Sequence, residues 1–254
     1  MTLRSASFLK LLLVSVLVLA GCSGEPSETI KSGTSSGETV ILRVGNRFLT
    51  GGELNRETDR LLETYRSNKN TTLNEEETSR LRKQFSRRVL RKKIVNFLLL
   101  SAAWDEGVSV NDEAVETRWQ SFRDNVEDTR ALETHLKEWG RSRGELKKQL
   151  EQNLILEKYL KTVVSRAEPT NEQLRNYFRE NRDQFATASD TQTDSFEELR
   201  PRLANAYRIR SQERQLRDHL SGLWDRYDVE LQGQSISKNA FFEELERPAS
   251  LVSP

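Results

Sequence analysis

The sequence predicts a mainly α-helical fold with a small β component. Gly and Pro are scarce, 12 and 5 in 254 residues, so long stretches run without a breaker. Those stretches are rich in Leu, Glu, Lys, Arg and Gln, which are good helix formers, and their apolar residues recur three and four apart. Two short segments alternate instead, one through Val40, Leu42 and Val44 and the other through Val229 and Leu231.

The N-terminus reads as a leader. Arg4 and Lys10 carry positive charge, and Phe8 to Ala20 is apolar apart from Lys10 and Ser15. The run is shorter than the roughly 20 residues of a membrane span. Residues 1–21 are therefore expected to be a secretory signal peptide. Leu19-Ala20-Gly21-Cys22 resembles the bacterial lipobox. That resemblance implies cleavage between Gly21 and Cys22 and a diacylglycerol on the Cys22 thiol. Two or more acyl chains, at about 0.8 kcal/mol per buried methylene, make a firm membrane anchor. The bland alternative is an ordinary signal peptide with a chance cysteine. Against it, Cys22 is the only cysteine, and a lone thiol in an exported chain forms no internal disulfide.

Residues 22–38 continue as SGEPSETIKSGTSSGE after the cysteine, a Ser, Gly, Thr and Glu tether. Val40 to Val44, the Gly45-Asn46 turn and Arg47-Phe48-Leu49 form a hairpin. Thr50-Gly51-Gly52-Glu53 is a capping box, opening a helix with Leu54, Thr58, Leu61, Leu62 and Tyr65 on one face. A polar break spans 67–74. The next helix runs over 75–106, and its stripe of Leu81, Phe85 and Val89 widens at Ile94, Val95 and 97–100 to nearly the whole circumference. A helix apolar all round is a buried one, and Gly107 ends it.

Asn111 caps a third helix carrying Val115, Trp119, Phe122 and Val126, and a short helix over 132–139 stops at Gly140. Ser142-Arg143-Gly144-Glu145 is a second capping box, opening a helix with Leu146, Leu150, Leu154, Ile155, Tyr159, Leu160 and Val163. Thr170-Asn171-Glu172-Gln173 is a third, before Leu174, Tyr177 and Phe178. The polar linker 186–194 precedes a last long helix from Ser195. Its stripe is Phe196, Leu199, Leu203, Tyr207, Leu216, Leu220, Leu223 and Tyr227. Val229 to Leu231 is a strand. Residues 232–254 read as a loose tail with one helical turn near 241–246.

The order of these elements resembles the SurA N-terminal domain family of periplasmic chaperones. The resemblance rests on VLRKKIVNFLLLSAAWDEGVSVNDEAV, with Leu98-Leu99-Leu100, Gly107-Val108 and Asn111-Asp112-Glu113. It also rests on LKEWGRSRGELKKQLEQNLILEKYLKTVV, the hairpin VILRVGNRFLTGGEL and the block PTNEQLRNYFRENRDQF. Together they cover most of 40–185. The chain departs from the family at Asn96-Phe97, where members often carry Glu-Lys. Catalytic members continue after this block with a parvulin prolyl-isomerase module. Here nine polar residues, 186–194, lead directly to SFEELRPRLANAYRIRSQERQLRDHLSGLWDRYDVEL. That piece resembles the helix and strand that follow the module. The resemblance therefore implies a SurA N-terminal-like helical domain over 39–185, no isomerase module, and a returning segment over 195–231. Val229 and Leu231 would close the small sheet against Val40 to Val44. A two-stranded hairpin is marginal in water, so a third strand is physically wanted.

Composition and motifs exclude several functions. Lys+Arg 40 against Asp+Glu 39 leaves no basic excess for nucleic acid. A mean hydropathy of -0.72 argues against a second membrane segment. His135 and His219 are the only histidines; both sit among polar helical neighbours and are expected to be solvated. They make neither a zinc set nor a nucleophile pair with Cys22. The pairs Asp112-Glu113, Glu197-Glu198 and Glu243-Glu244 point about 100° apart on a helix and read as helix-start charges. Of Trp104, Trp119, Trp139 and Trp224, most are expected in the core; a chaperone would expose one or more in a groove, and the sequence names none as a client-binding residue.

The expectation is a lipid-anchored extracytoplasmic chaperone without catalytic residues, metal or other cofactor. It would hold unfolded or outer-membrane clients without ATP, binding extended apolar segments between helices. Ser23 after the cysteine resembles the outer-membrane address of lipoproteins in two-membrane bacteria. The alternative is a lipoprotein scaffold that docks one folded partner in an envelope complex.

Overall fold

A computed structural model describes residues 39–69, 72–125, 134, 136, 142–165, 167–185 and 196–246. Cys22 and Gly21, the tether, His135, Trp139 and the linker 186–194 lie outside them. The described chain forms two compact units, one from 39–159 with 220–246 and one from 160–219.

The first unit is organised by an antiparallel sheet. Strand β1 (Val40–Val44) pairs with β2 (Arg47–Thr50) through the Gly45-Asn46 turn, where Gly45 takes a φ of +53° that favours glycine. On its other side β1 pairs with β3 (Val229–Leu231) in the register Leu42 to Leu231 and Val44 to Val229. Strand β4 (Gln234–Ser235) completes the order β2-β1-β3-β4. The C-terminal strand thus closes the sheet as the sequence implies. Two backbone bonds reinforce the closure: Gly45 N–H donates to the Asp228 carbonyl at 3.0 Å, and Gln232 N–H to that of Ile41 at 2.7 Å. Alternation sends Leu42, Val44 and Leu49 into the core and Arg43 to solvent.

Helix α1 (Gly51–Lys69) follows β2 without a loop. Its capping box is present, with Thr50 N–H donating to Glu53 at 2.8 Å and Glu53 N–H donating to the Thr50 hydroxyl at 3.3 Å. The helix runs through Ser67 to Lys69, so the polar break is shorter than the sequence predicts. Polar residues there are compatible with a helix whose outer face is solvated. Helix α2 (Glu75–Asp105) starts on a capping box the sequence reading missed, Asn74 with Glu77. It buries twelve side chains, concentrated from Lys93 to Ala103. Gly107, at φ +70°, lets Val108 N–H reach back to the Ala103 carbonyl at 2.8 Å and stops the helix.

Helices α3 (Asp112–Asp124) and α4 (Arg143–Val163) begin at the predicted Asn111 cap and the Ser142/Glu145 capping box. Trp119 packs with Leu136, Leu146 and Leu150. Val126 and most of the expected 132–139 helix lie outside the described residues.

In the second unit, α5 (Asn171–Glu180) starts on the Thr170/Gln173 capping box and is followed by α6 (Arg182–Phe185). Leu174 and Phe185 pack with Leu199 and Leu203 of α7 (Phe196–Arg226). Along α7, Leu203, Leu216, Leu220 and Leu223 are all buried, the face the sequence singled out.

The tail is not loose over its described part. After β4 it forms α8 (Lys238–Glu246), because Phe241 and Phe242 find Trp224, at 4.7 and 6.0 Å between ring centroids.

Between α1 and α2 lies a buried ion pair, Glu57 with Lys93 at 2.9 Å, their side chains 6% and 3% exposed. Removing one partner takes away the close opposite charge of a group held away from water. Glu57→Ala is predicted to cost about 3–5 kcal/mol, and Glu57→Leu with Lys93→Met to be near neutral, measured by denaturant melts. Equal losses in both variants would show that the pair itself, not the remaining charge, carries the effect.

Neighbouring Lys92 is pulled down to about 8 from 10.5, chiefly by burial, opposed by Glu57 and helped by Lys93 and Arg88. Below about pH 8 the ammonium is charged folded and unfolded, and its burial cost is present in full. Between 8 and 10.5 the folded form sheds its proton first, so stability rises with pH. We expect the stability difference between wild type and Lys92→Gln to shift in favour of wild type from pH 8 to 10. A flat difference would mean Lys92 titrates normally.

Candidate functional site

The C-terminal end of α2 carries the feature of greatest functional interest. Trp104, in the last turn before the Gly107 stop, is 63% exposed, and among the described residues it is the exposed large apolar side chain. Trp119 and Trp224 are buried. The core expectation therefore holds for these two tryptophans, and Trp104 is the exposed one among the described residues.

Trp104 is held by its surroundings. The Arg47 guanidinium, from the start of β2, lies 5.4 Å from the ring centroid. Burial pulls Arg47 below the ordinary guanidinium value. The cation therefore leans on the ring with part of its hydration removed. Asp105, next along the chain, accepts from the Arg226 guanidinium at 2.7 Å and from the Tyr227 hydroxyl at 2.6 Å. Glu106 accepts from the Tyr159 hydroxyl at 3.1 Å. The Tyr227 ring in turn backs the Gly45 turn, where a Cβ would stand 3.5 Å from it. Four segments of the first unit meet there: the hairpin turn, the end of α2, α4 and the end of α7.

The electrostatics describe a fixing network rather than a reactive one. Tyr227 is pushed up to about 12, by burial first and then by its bond to Asp105. Burial first, then the bond to Glu106, pushes Tyr159 above its usual value. Both phenols stay protonated at neutral pH and act as donors. Asp105 and Glu106 receive those bonds, and the result is a rigid platform behind Trp104.

The other candidate groups are dispersed. His219 is half-buried in α7. Asp112-Glu113 and Glu197-Glu198 sit in the first turns of α3 and α7, as expected of dipole-complementing charges. Glu243-Glu244 does not: it falls in the second half of α8, because the helix starts at Lys238, earlier than the sequence predicts. Among the described residues no group of three or more His, Cys, Asp or Glu could hold a metal ion, and no helix is long and apolar enough to cross a membrane.

Sequence reasoning missed the Glu57–Lys93 pair and the position of Trp104. Lys93 lies four residues from both Val89 and Phe97, within the apolar stripe, and that spacing was the available signal. Trp104 had none, since it lies on or beside the same apolar stripe as buried residues of its helix.

A family model described as SurA-like N-terminal domain matches residues 3–160. No curated protein and no solved structure matches the chain. The matched span is more than half of the sequence and contains the hairpin, the central helix and nearly all of α4. The chain therefore belongs to the SurA-like N-terminal domain family, and that membership supports a chaperone-like role.

Proposed function

We propose that this protein is a membrane-anchored extracytoplasmic holdase. It binds unfolded or translocating envelope proteins reversibly, without ATP and without isomerase activity. The observation that carries the reading is Trp104, an indole 63% exposed on a platform fixed from behind, in a chain of this family. The flat indole face suits contact with many apolar sequences, and its NH end keeps a polar handle toward water. Membrane attachment rests on Leu19-Ala20-Gly21-Cys22, with outer-membrane delivery favoured by Ser23. Lack of isomerase activity rests on the nine-residue step from Phe185 to the returning helix, too short for a catalytic module.

The body from Ser23 onward is expected to suppress aggregation of a denatured outer-membrane protein. Trp104→Ser should weaken that suppression several-fold. Its thermal melt should hardly move, since exposed substitutions usually change stability by about 0.5 kcal/mol or less. A soluble one-to-one complex with a single folded envelope protein, and no suppression, would instead establish the scaffold reading.

Lipid attachment is tested separately. A fatty-acid probe fed to expressing cells should label the wild type and leave Cys22→Ser unlabelled. Equal labelling of both would remove the anchor from the proposal.

A further inference from the structure

Helix α8 is attached to the first unit in an unusual way. It follows a turn built from Gln232 at φ +52° and Gly233 at φ +75°, then a two-residue strand exposed along its length. Gln232 is a non-glycine residue in the left-handed region, a conformation that L side chains rarely adopt. Among the described side chains of α8, Phe241 alone is buried, at 4% exposure. Phe242 stacks beside it at 5.4 Å, edge to face, and both rings meet Trp224 near the end of α7. Among the described residues, Lys238 of α8 pairs with Asp225 at 2.6 Å, with the carboxylate 66% exposed.

Among the described side chains, α8 is held by the cluster of Trp224, Phe241 and Phe242 and by the Lys238–Asp225 ion pair, and the strap before it pairs with β3 and closes with Ile236 N–H donating to the Val229 carbonyl at 3.2 Å. Exposed ion pairs add little to stability. Elements with few buried contacts open locally far below the cost of global unfolding. Helix α8 lays Phe241 and Phe242 against the indole of Trp224, which is buried, on the unit that carries Trp104.

We propose that α8 is a self-supplied occupant of an apolar seat floored by Trp224, and that an apolar client segment binds by displacing it. The proposal deepens the holdase reading and rests on it. The strap keeps the seat from water when no client is present and sets a threshold for binding. Displacement is reversible, because the tethered helix competes at high local concentration and returns when the client leaves.

The test uses the full mature chain in phospholipid nanodiscs and two fluorescent probes. One is a synthetic peptide of residues 235–247 and the other is reduced, carboxymethylated α-lactalbumin, which stays unfolded. Phe241→Ala with Phe242→Ala vacates the seat. That variant should bind the peptide at least tenfold tighter than wild type and the unfolded probe at least threefold tighter, and the peptide should compete the probe off. Unchanged affinity for both probes in a variant with native circular dichroism would overturn the proposal.

If the double variant does not fold, Lys238→Glu decides, since it loosens the strap without touching a buried ring. Faster amide exchange confined to α8 together with tighter probe binding supports the seat, and faster exchange with unchanged affinity overturns it. Tighter peptide binding with no binding of the unfolded probe by any variant would leave the seat standing and sink the holdase reading instead.

Discussion

The pairing of β1 with β3 is the constraint on which the first unit depends. Val40–Val44 and Val229–Leu231 are separated by most of the chain, yet they share a register in which Leu42 meets Leu231 and Val44 meets Val229. Without β3, the hairpin would be an edge-exposed ribbon, marginal in water. With it, β1 becomes an inner strand, and Leu42 and Val44 lose all contact with solvent. The ends of the chain are thereby pinned, and α1 and α2 have a sheet to pack against. The arrangement is non-local, so loop closure over a long chain precedes its reward, and such topologies fold slowly. The local elements offset this: four capping boxes start their helices independently of the sheet.

Those local signals are what the sequence makes legible. Thr50 with Glu53, Ser142 with Glu145 and Thr170 with Gln173 are recognisable because a hydroxyl and a carboxylate or amide three residues apart satisfy two backbone donors at once. The hairpin is recognisable because Gly45-Asn46 interrupts an alternation of period two. The stop at Gly107 is recognisable because a left-handed residue there costs glycine little. The closing strand needed more. Three residues of alternation are too few to assign a partner, and the family resemblance supplied one.

What stayed illegible is what depends on a partner distant in sequence. The Glu57–Lys93 pair went unread, and charged side chains are almost never buried unless paired. Their positions on the inner faces of α1 and α2 are visible in the spacing, but their mutual contact is not. The same holds for Phe241 and Phe242. Two phenylalanines after Gly233 in a polar tail look like a helical turn with nothing to bury against, until α7 places Trp224 beneath them. Tryptophan is the sharpest case. Trp104 and Trp224 both lie on or beside apolar stripes, and one is exposed while the other is covered.

A surface that holds clients without an energy source has to satisfy two opposed demands. It must offer enough apolar area to capture a segment, and little enough that the segment leaves. If Trp104 is the proposed contact, a single exposed indole would meet the second demand directly, because burying one aromatic side chain yields only about 1.5–3 kcal/mol. Its platform serves the first. Asp105 and Glu106 are fixed by Arg226, Tyr227 and Tyr159, so the backbone under the ring is ordered before any client arrives. Binding to a preorganised site spends less of its free energy on immobilising the protein. Arg47 beside the ring adds a cation that an aromatic or acidic segment can meet without a large desolvation cost, since part of its hydration is already gone. On the holdase reading proposed above, the polar network behind Trp104 would contribute to capture without touching the client, through the weak, orderly contact that reversible holding requires.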